Sequence, residues 1–151
     1  MTLTNWGNMG VNTTRRILGE ARKARPPTKR ELKDPEKAYF YAEGKLAWGD
    51  SRRFPEGEAA IATSPYWSYH YARRIIRGRW PEAEAAIATS SWALPYAWHV
   101  IHELEAGGRW PEAEETIAKD PEDAKFYLEH FPDAKLEWIM NGWLDWLEWD
   151  T

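Results

Sequence analysis

Three kinds of residue in this 151-residue chain have the type and spacing to do chemistry. The first is a set of paired glutamates, Glu56/Glu58, Glu82/Glu84 and Glu112/Glu114. Two carboxyls at close quarters are the equipment of acid/base hydrolysis. Here the pair is written three times at the same place in a repeated phrase, whereas catalysis needs one site in one geometry, so the expectation is a structural role. The second is His99-Val-Ile-His102-Glu103, where residues three apart on a helix share a face and could meet a metal. The His-Glu-x-x-His order that places ligands and base together is missing, so no metal is expected and the two read as surface histidines. His70 and His130 have no sequence partner and read the same way. The third is a row, His70, Arg73, Arg74 and Arg77, at helical spacing. Aligning Tyr71 with Tyr96 sets Trp98, His99 and His102 on the matching face of the next unit. Arginine and tryptophan dominate binding hot spots, so these seven are the expected partner-binding residues.

Other chemistry lacks its residues. The chain has no cysteine, which removes thiol catalysis, disulfides and cysteine-based zinc sites. No phosphate loop, dinucleotide fingerprint or Gly-x-Ser-x-Gly elbow occurs. No catalytic residue and no cofactor is expected. The basic start, with Arg15, Arg16, Arg22, Lys23 and Arg25, supplies candidate phosphate contacts.

The elements that must carry these residues are legible from an internal repeat. Phe54-Pro-Glu-Gly-Glu-Ala-Ala-Ile-Ala-Thr-Ser64 and Trp80-Pro-Glu-Ala-Glu-Ala-Ala-Ile-Ala-Thr-Ser90 agree at nine of eleven positions. Trp110-Pro-Glu-Ala-Glu-Glu-Thr-Ile-Ala-Lys-Asp120 agrees with the second at seven. A second phrase alternates with it: Asp34-Pro to Ala42, Ser64-Pro to Ala72, a degraded copy from Ser90 to Ala97, and Asp120-Pro to Leu128. Stacked-unit folds carry repeats of this period.

Both phrases read as helices. Asp34, Ser64 and Asp120 can cap, and proline follows each at the first helical position. Pro55, Pro81 and Pro111 open the shorter helices, with glutamates in the first turn where the helix dipole favours them. Phe54, Trp80 and Trp110, held extended before proline, are expected to wedge between neighbouring helices. Gly78 and Gly107 or Gly108 are expected to supply the left-handed residue that ends each long helix. Tyr66, Tyr69, Ala72 and Ile76 form one apolar stripe, and Trp67, Tyr71 and Ile75 a second. Thr28-Lys-Arg-Glu31 is a capping box, and Asp133 to Trp149 reads as a final helix. The expected fold is all-α: seven to nine helices in antiparallel pairs, stacked as a short curved solenoid that closes into a compact globule. A basic N-terminal segment (1–33), the repeats (34–135) and a Trp-rich C-terminal helix (136–151) make one domain.

Charge is polarised along the chain. Residues 1–33 hold eight Lys/Arg against two Asp/Glu, residues 34–102 eight of each, and residues 103–151 four against fourteen. No apolar run reaches the roughly 20 residues of a membrane span, and the first ten residues lack the pattern of a secretory signal. Eleven tryptophans are the one compositional anomaly.

The string Gly78-Arg-Trp-Pro-Glu-Ala-Glu84, alternating with Ser64-Pro-Tyr-Trp-Ser-Tyr-His-Tyr-Ala-Arg-Arg-Ile-Ile-Arg-Gly78, resembles a helical repeat found in proteins of tailed bacteriophages. The likeness spans about residues 34–128. It is specific at 54–90 and 108–120, weakens at 90–107 where Pro95 enters the helix, and is absent from 1–33 and 136–151. It implies a fold and a viral source. The resulting expectation is a non-enzymatic phage accessory protein, in the cytoplasm of the infected bacterium, that binds and inhibits a host protein. The alternatives are a nucleotide or small-ligand binder using a Trp/Arg/His-lined cleft, a virion component, and a single-stranded nucleic-acid binder acting through the basic start. Self-association of the basic end with the acidic end is a further option.

Overall fold

The computed structural model describes residues 26–47, 53–134 and 136. Every regular element among them is helical. The helices are α1 (Pro35–Ala47), α2 (Pro55–Ile61), α3 (Pro65–Tyr71, continuing through Ala72–Ile76), α4 (Pro81–Ala88), α5 (Ala93–Tyr96, continuing through Ala97–His102 and Glu103–Glu105), α6 (Pro111–Ile117) and α7 (Pro121–His130). Short and long helices alternate as the two phrases do. The chain divides into two compact units, Met1–Ile61 and Ala62–Thr151.

In the first unit the expected capping box forms. The Thr28 N–H donates to the Glu31 carboxylate at 2.8 Å, and the Glu31 N–H returns a bond to the Thr28 hydroxyl at 3.2 Å. It opens a single 3₁₀ turn, Glu31–Lys33. The Asp34 carboxylate then caps α1 by accepting from the Glu36 and Lys37 N–H groups. Ala38, Tyr39 and Ala42 form the buried stripe of α1, and the Tyr41 ring meets Phe54 at 5.0 Å. Gly57 stands where the other copies have alanine because the Phe54 ring leans over it. A Cβ there would lie 2.5 Å from that ring.

In the second unit Ser64 and Asp120 cap α3 and α7 as expected. Both complete long helices then widen at one place. After Tyr71, the Arg77 N–H reaches back five residues to the Ala72 carbonyl. After Tyr96, the Glu103 N–H does the same to Trp98. These are π-helical turns, in which one extra residue enters the ring closed by each bond.

That extra residue shifts the helix ends. Gly78 and Gly107 are not the left-handed residues. Arg77 (φ 59°) and Ala106 (φ 50°) are, and the glycines follow them. The Gly78 N–H bonds the Ala72 carbonyl and the Gly107 N–H bonds the Ile101 carbonyl, one residue further back than a Schellman closure. Gly107 is required by close approach instead, since a Cβ there would lie 2.6 Å from the Ile101 side chain and 2.8 Å from its carbonyl oxygen.

The repeated phrase is a joint. Trp80 and Trp110 are each 1% exposed. The Trp80 N–H donates to the Tyr96 hydroxyl at 2.7 Å, and that hydroxyl donates to Glu84 at 2.9 Å. Arg79 closes a two-bonded fork on the same carboxylate at 2.8 and 2.6 Å. The set recurs with Trp110, Tyr127, Glu114 and Arg109. In the first unit Arg53 makes the same fork on Glu58. A hydroxyl offers one donor and two acceptor sites, so each tyrosine accepts from the backbone and donates to the carboxylate without conflict. The partly exposed ion pairs contribute little by themselves, because solvent screens them. A buried tryptophan ring contributes far more, about 3–5 kcal/mol on truncation.

Each long-helix tyrosine also packs its ring on the aromatic residue of the following phrase. The centroid distances are 4.9 Å for Tyr71–Trp80 and 5.0 Å for Tyr96–Trp110. Tyr127–Phe131, at 4.8 Å, belongs to the same series. His130-Phe131-Pro132-Asp133-Ala134 is therefore a fourth copy of Arg-Trp-Pro-Glu-Ala, with Phe131, Ala134 and Leu136 buried. The expected two-stripe pattern on α3 changes in detail: Tyr69, Tyr71, Ala72 and Ile75 are buried, while Tyr66 is 41% exposed at the edge. Of the expected final helix only Ala134 and Leu136 fall among residues described beyond Asp133; the rest lies outside the described residues.

Candidate functional site

The long helices of the second unit present their outer side chains on one face. Contacts between α3 and α5 run in the same order along both: Tyr66 and Tyr69 meet Trp92, Tyr69 meets His99, and Arg73 lies within electrostatic reach of Glu103. Those between α5 and α7 also advance together, Trp98 to Phe126 and His130, then His102 to Phe131. In each pair the contacts advance in chain order along both segments.

Two aromatic clusters occupy it. In the first, the Tyr69 and Trp92 rings stack at 5.1 Å, with Tyr66 and His70 edge-on at their border. Arg73 donates to the Tyr69 hydroxyl at 3.0 Å. His99 Nδ1 lies 2.8 Å from the Glu103 carboxylate. That hydrogen bond, with the charges of His99 and Arg73, holds the Glu103 carboxyl below the usual carboxylate value. In the second cluster, His102 stacks on Trp98 at 4.6 Å and 26°, and His130 meets the same indole edge-on at 4.4 Å. Phe126, 36% exposed, completes it. His102 Nδ1 faces the Gly107 carbonyl and His130 Nδ1 the Phe126 carbonyl.

The expected partner-binding row is thus assembled but divided. His70, Arg73 and His99 border the α3–α5 contact, whereas Trp98 and His102 turn to the α5–α7 contact. Arg74 and Arg77 are exposed at the end of α3. His99 and His102 engage different neighbours, and no group of three His, Cys, Asp or Glu side chains converges on a metal position among the described residues. Arg15, Arg16, Arg22, Lys23 and Arg25 lie outside the described residues.

Trp92 and Phe126 belong to this face and were not singled out from sequence, while Tyr66 reads there as part of an apolar stripe and His130 as a lone surface histidine. The signal for His130 is the fourth copy of the phrase, hidden by phenylalanine for tryptophan and aspartate for glutamate, and Phe126 lies in the last copy of the second phrase, Asp120 to Leu128. All four histidines of the chain stand on this face.

The paired glutamates separate by role. Glu84 and Glu114 face inward to their arginine and tyrosine, while Glu82 and Glu112 are exposed in the first turn. Burial, reinforced by the adjacent carboxylate, raises the Tyr96 and Tyr127 hydroxyls well above the ordinary phenol value. Each inward carboxylate accepts from its arginine and its tyrosine hydroxyl, and that hydroxyl in turn takes the tryptophan backbone N–H.

These features define a helical-repeat array with an aromatic and histidine-rich outer face. Compared with family models, curated proteins and solved structures, the chain matches none.

Proposed function

We propose that the chain is a non-enzymatic phage accessory protein that docks a host protein on the outer face of its long helices and so inhibits it in the infected cell's cytoplasm. The observation that carries this reading is the division of labour among the aromatic and charged residues. The joint uses Trp80, Trp110, Tyr96, Tyr127 and the inward glutamates. Outside the joint stand Tyr66, His70, Trp92, Trp98, His99, His102 and Phe126 in two ring clusters, with Arg73 on the Tyr69 hydroxyl and Arg74 and Arg77 exposed at the end of α3. Rigid rings with polar edges and nearby guanidiniums suit a protein hot spot, because they bury area with little loss of rotamer freedom. The viral source rests on the likeness of the Gly-Arg-Trp-Pro-Glu-Ala-Glu phrase to the phage repeat.

Affinity capture from a susceptible bacterium, followed by mass spectrometry, tests the proposal. The wild-type chain should retain a specific host protein at low salt. A Trp98→Ala/His102→Ala variant that keeps its helical circular dichroism should lose it. Retention of nothing beyond a control column would sink the reading.

A further inference from the structure

Both widened long helices end against their own sequence preference. Glycine adopts a left-handed backbone at least cost, and it stands ready at Gly78 and Gly107. Yet the residue before each glycine takes that backbone, Arg77 at φ 59° and Ala106 at φ 50°. The Cβ penalty alone favours glycine in such a place by roughly tenfold. At α5 the helix itself supplies the constraint, because Gly107 lies against the Ile101 side chain and carbonyl.

At α3 a carboxylate from another helix supplies it. Glu105, the last residue of α5, accepts the Arg79 N–H at 2.6 Å. The same oxygen lies over Gly78, 2.7 Å from where a Cβ would stand. The Arg79 N–H is the donor that an ordinary closure needs. With Gly78 left-handed, a Schellman end would run from the Arg79 N–H to the Arg74 carbonyl and from the Gly78 N–H to the Ile75 carbonyl. Instead the Arg77 and Gly78 N–H groups both turn to the Ala72 carbonyl, at 2.7 and 3.3 Å. An ionised acceptor bonds an N–H more strongly than a carbonyl does, so Glu105 wins the donor.

We propose that Glu105 is a latch that sets how α3 closes. With the Arg79 N–H held, the helix ends in the π turn and Arg77 is left-handed. With Glu105 withdrawn, the Arg79 N–H returns to the Arg74 carbonyl, Arg77 rejoins the α-helix, and Gly78 takes the left-handed backbone. The nearest cation, the Arg79 guanidinium, is committed to its fork on Glu84 and adds only its through-space attraction for Glu105. Residues Glu103 to Ala106 are all exposed, so the latch is within reach of a bound molecule. Arg74 and Arg77 are exposed on the segment it controls, so its state decides how α3 presents them. The latch does not depend on the docking reading.

Heteronuclear NMR of the full chain tests it, through the backbone Cα–Hα coupling that drops when φ is positive. In the wild type Arg77 should show the lowered coupling. In Glu105→Ala, with helical circular dichroism retained, the left-handed fraction of Arg77 should fall to roughly a tenth. Adding Gly78→Ala should raise that fraction again several-fold, because the α closure then has no glycine to turn on. An unfolded chain has no such recovery, so the double variant separates a released latch from lost folding. An Arg77 that stays left-handed in Glu105→Ala, or that leaves the left-handed region as completely in the double variant as in the single, overturns the latch.

Discussion

The Tyr96 hydroxyl takes the Trp80 backbone N–H at 2.7 Å from sixteen residues away in sequence, and its ring packs at 5.0 Å on Trp110 of the next phrase. One side chain thus ties the preceding phrase by a hydrogen bond and the following one by ring contact. Tyr127 repeats the arrangement between Trp110 and Phe131.

Removing either hydroxyl should be costly. Tyr96→Phe or Tyr127→Phe leaves a buried tryptophan N–H without its acceptor, at about 1–3 kcal/mol in urea unfolding. Glu112→Gln, at an exposed first-turn position, should stay within about 0.5 kcal/mol. An equal loss for Glu112→Gln and Tyr127→Phe would contradict the joint.

Alkali should unfold the protein through the same groups. The Tyr96 and Tyr127 phenols are raised in the folded state, chiefly by burial and then by the neighbouring carboxylates. Their contribution is complete below the unfolded value of about 10 and is lost as pH climbs above it. Thermal melts at pH 8 and pH 11 should therefore differ more for the wild type than for the Tyr96→Phe/Tyr127→Phe variant.

The turn after α5 gives a paired test of two adjacent glycines. Gly107→Ala forces a Cβ against the Ile101 backbone and should destabilise by about 1–3 kcal/mol, whereas Gly108 has open space around it and should tolerate alanine. Ala106→Gly relieves a left-handed alanine and should raise the unfolding midpoint slightly, with a gain of up to about 1 kcal/mol. Denaturant titration of the three variants reads all of these.

Trp80 Nε1 is the one buried side-chain polar atom without a hydrogen-bond partner among the described residues. Phenylalanine already holds the equivalent place at Phe54. Trp80→Phe removes the unsatisfied donor along with part of the ring, so it should cost well under the about 3–5 kcal/mol of Trp80→Ala. A larger loss at Trp80 would mean that its indole N–H is satisfied in solution, and amide-region NMR of the indole signal would then reveal slow exchange.

Much of the architecture was legible in the amino-acid order because it is locally encoded. The caps at Asp34, Ser64 and Asp120, the prolines after them and the wedge role of Phe54, Trp80 and Trp110 follow from side chains acting on their own backbone within a few residues. The structural use of the glutamate pairs followed from simple repetition. Tertiary structure decided which member of the second and third pairs turns inward, because that depends on a tyrosine hydroxyl twelve or thirteen residues away. It moved the left-handed residue from the glycines to Arg77 and Ala106, because a π turn inserts a residue that no local spacing announces. It also divided the expected binding row between two contacts, since the direction a ring on α5 takes is set by which neighbour, α3 or α7, offers it an aromatic surface.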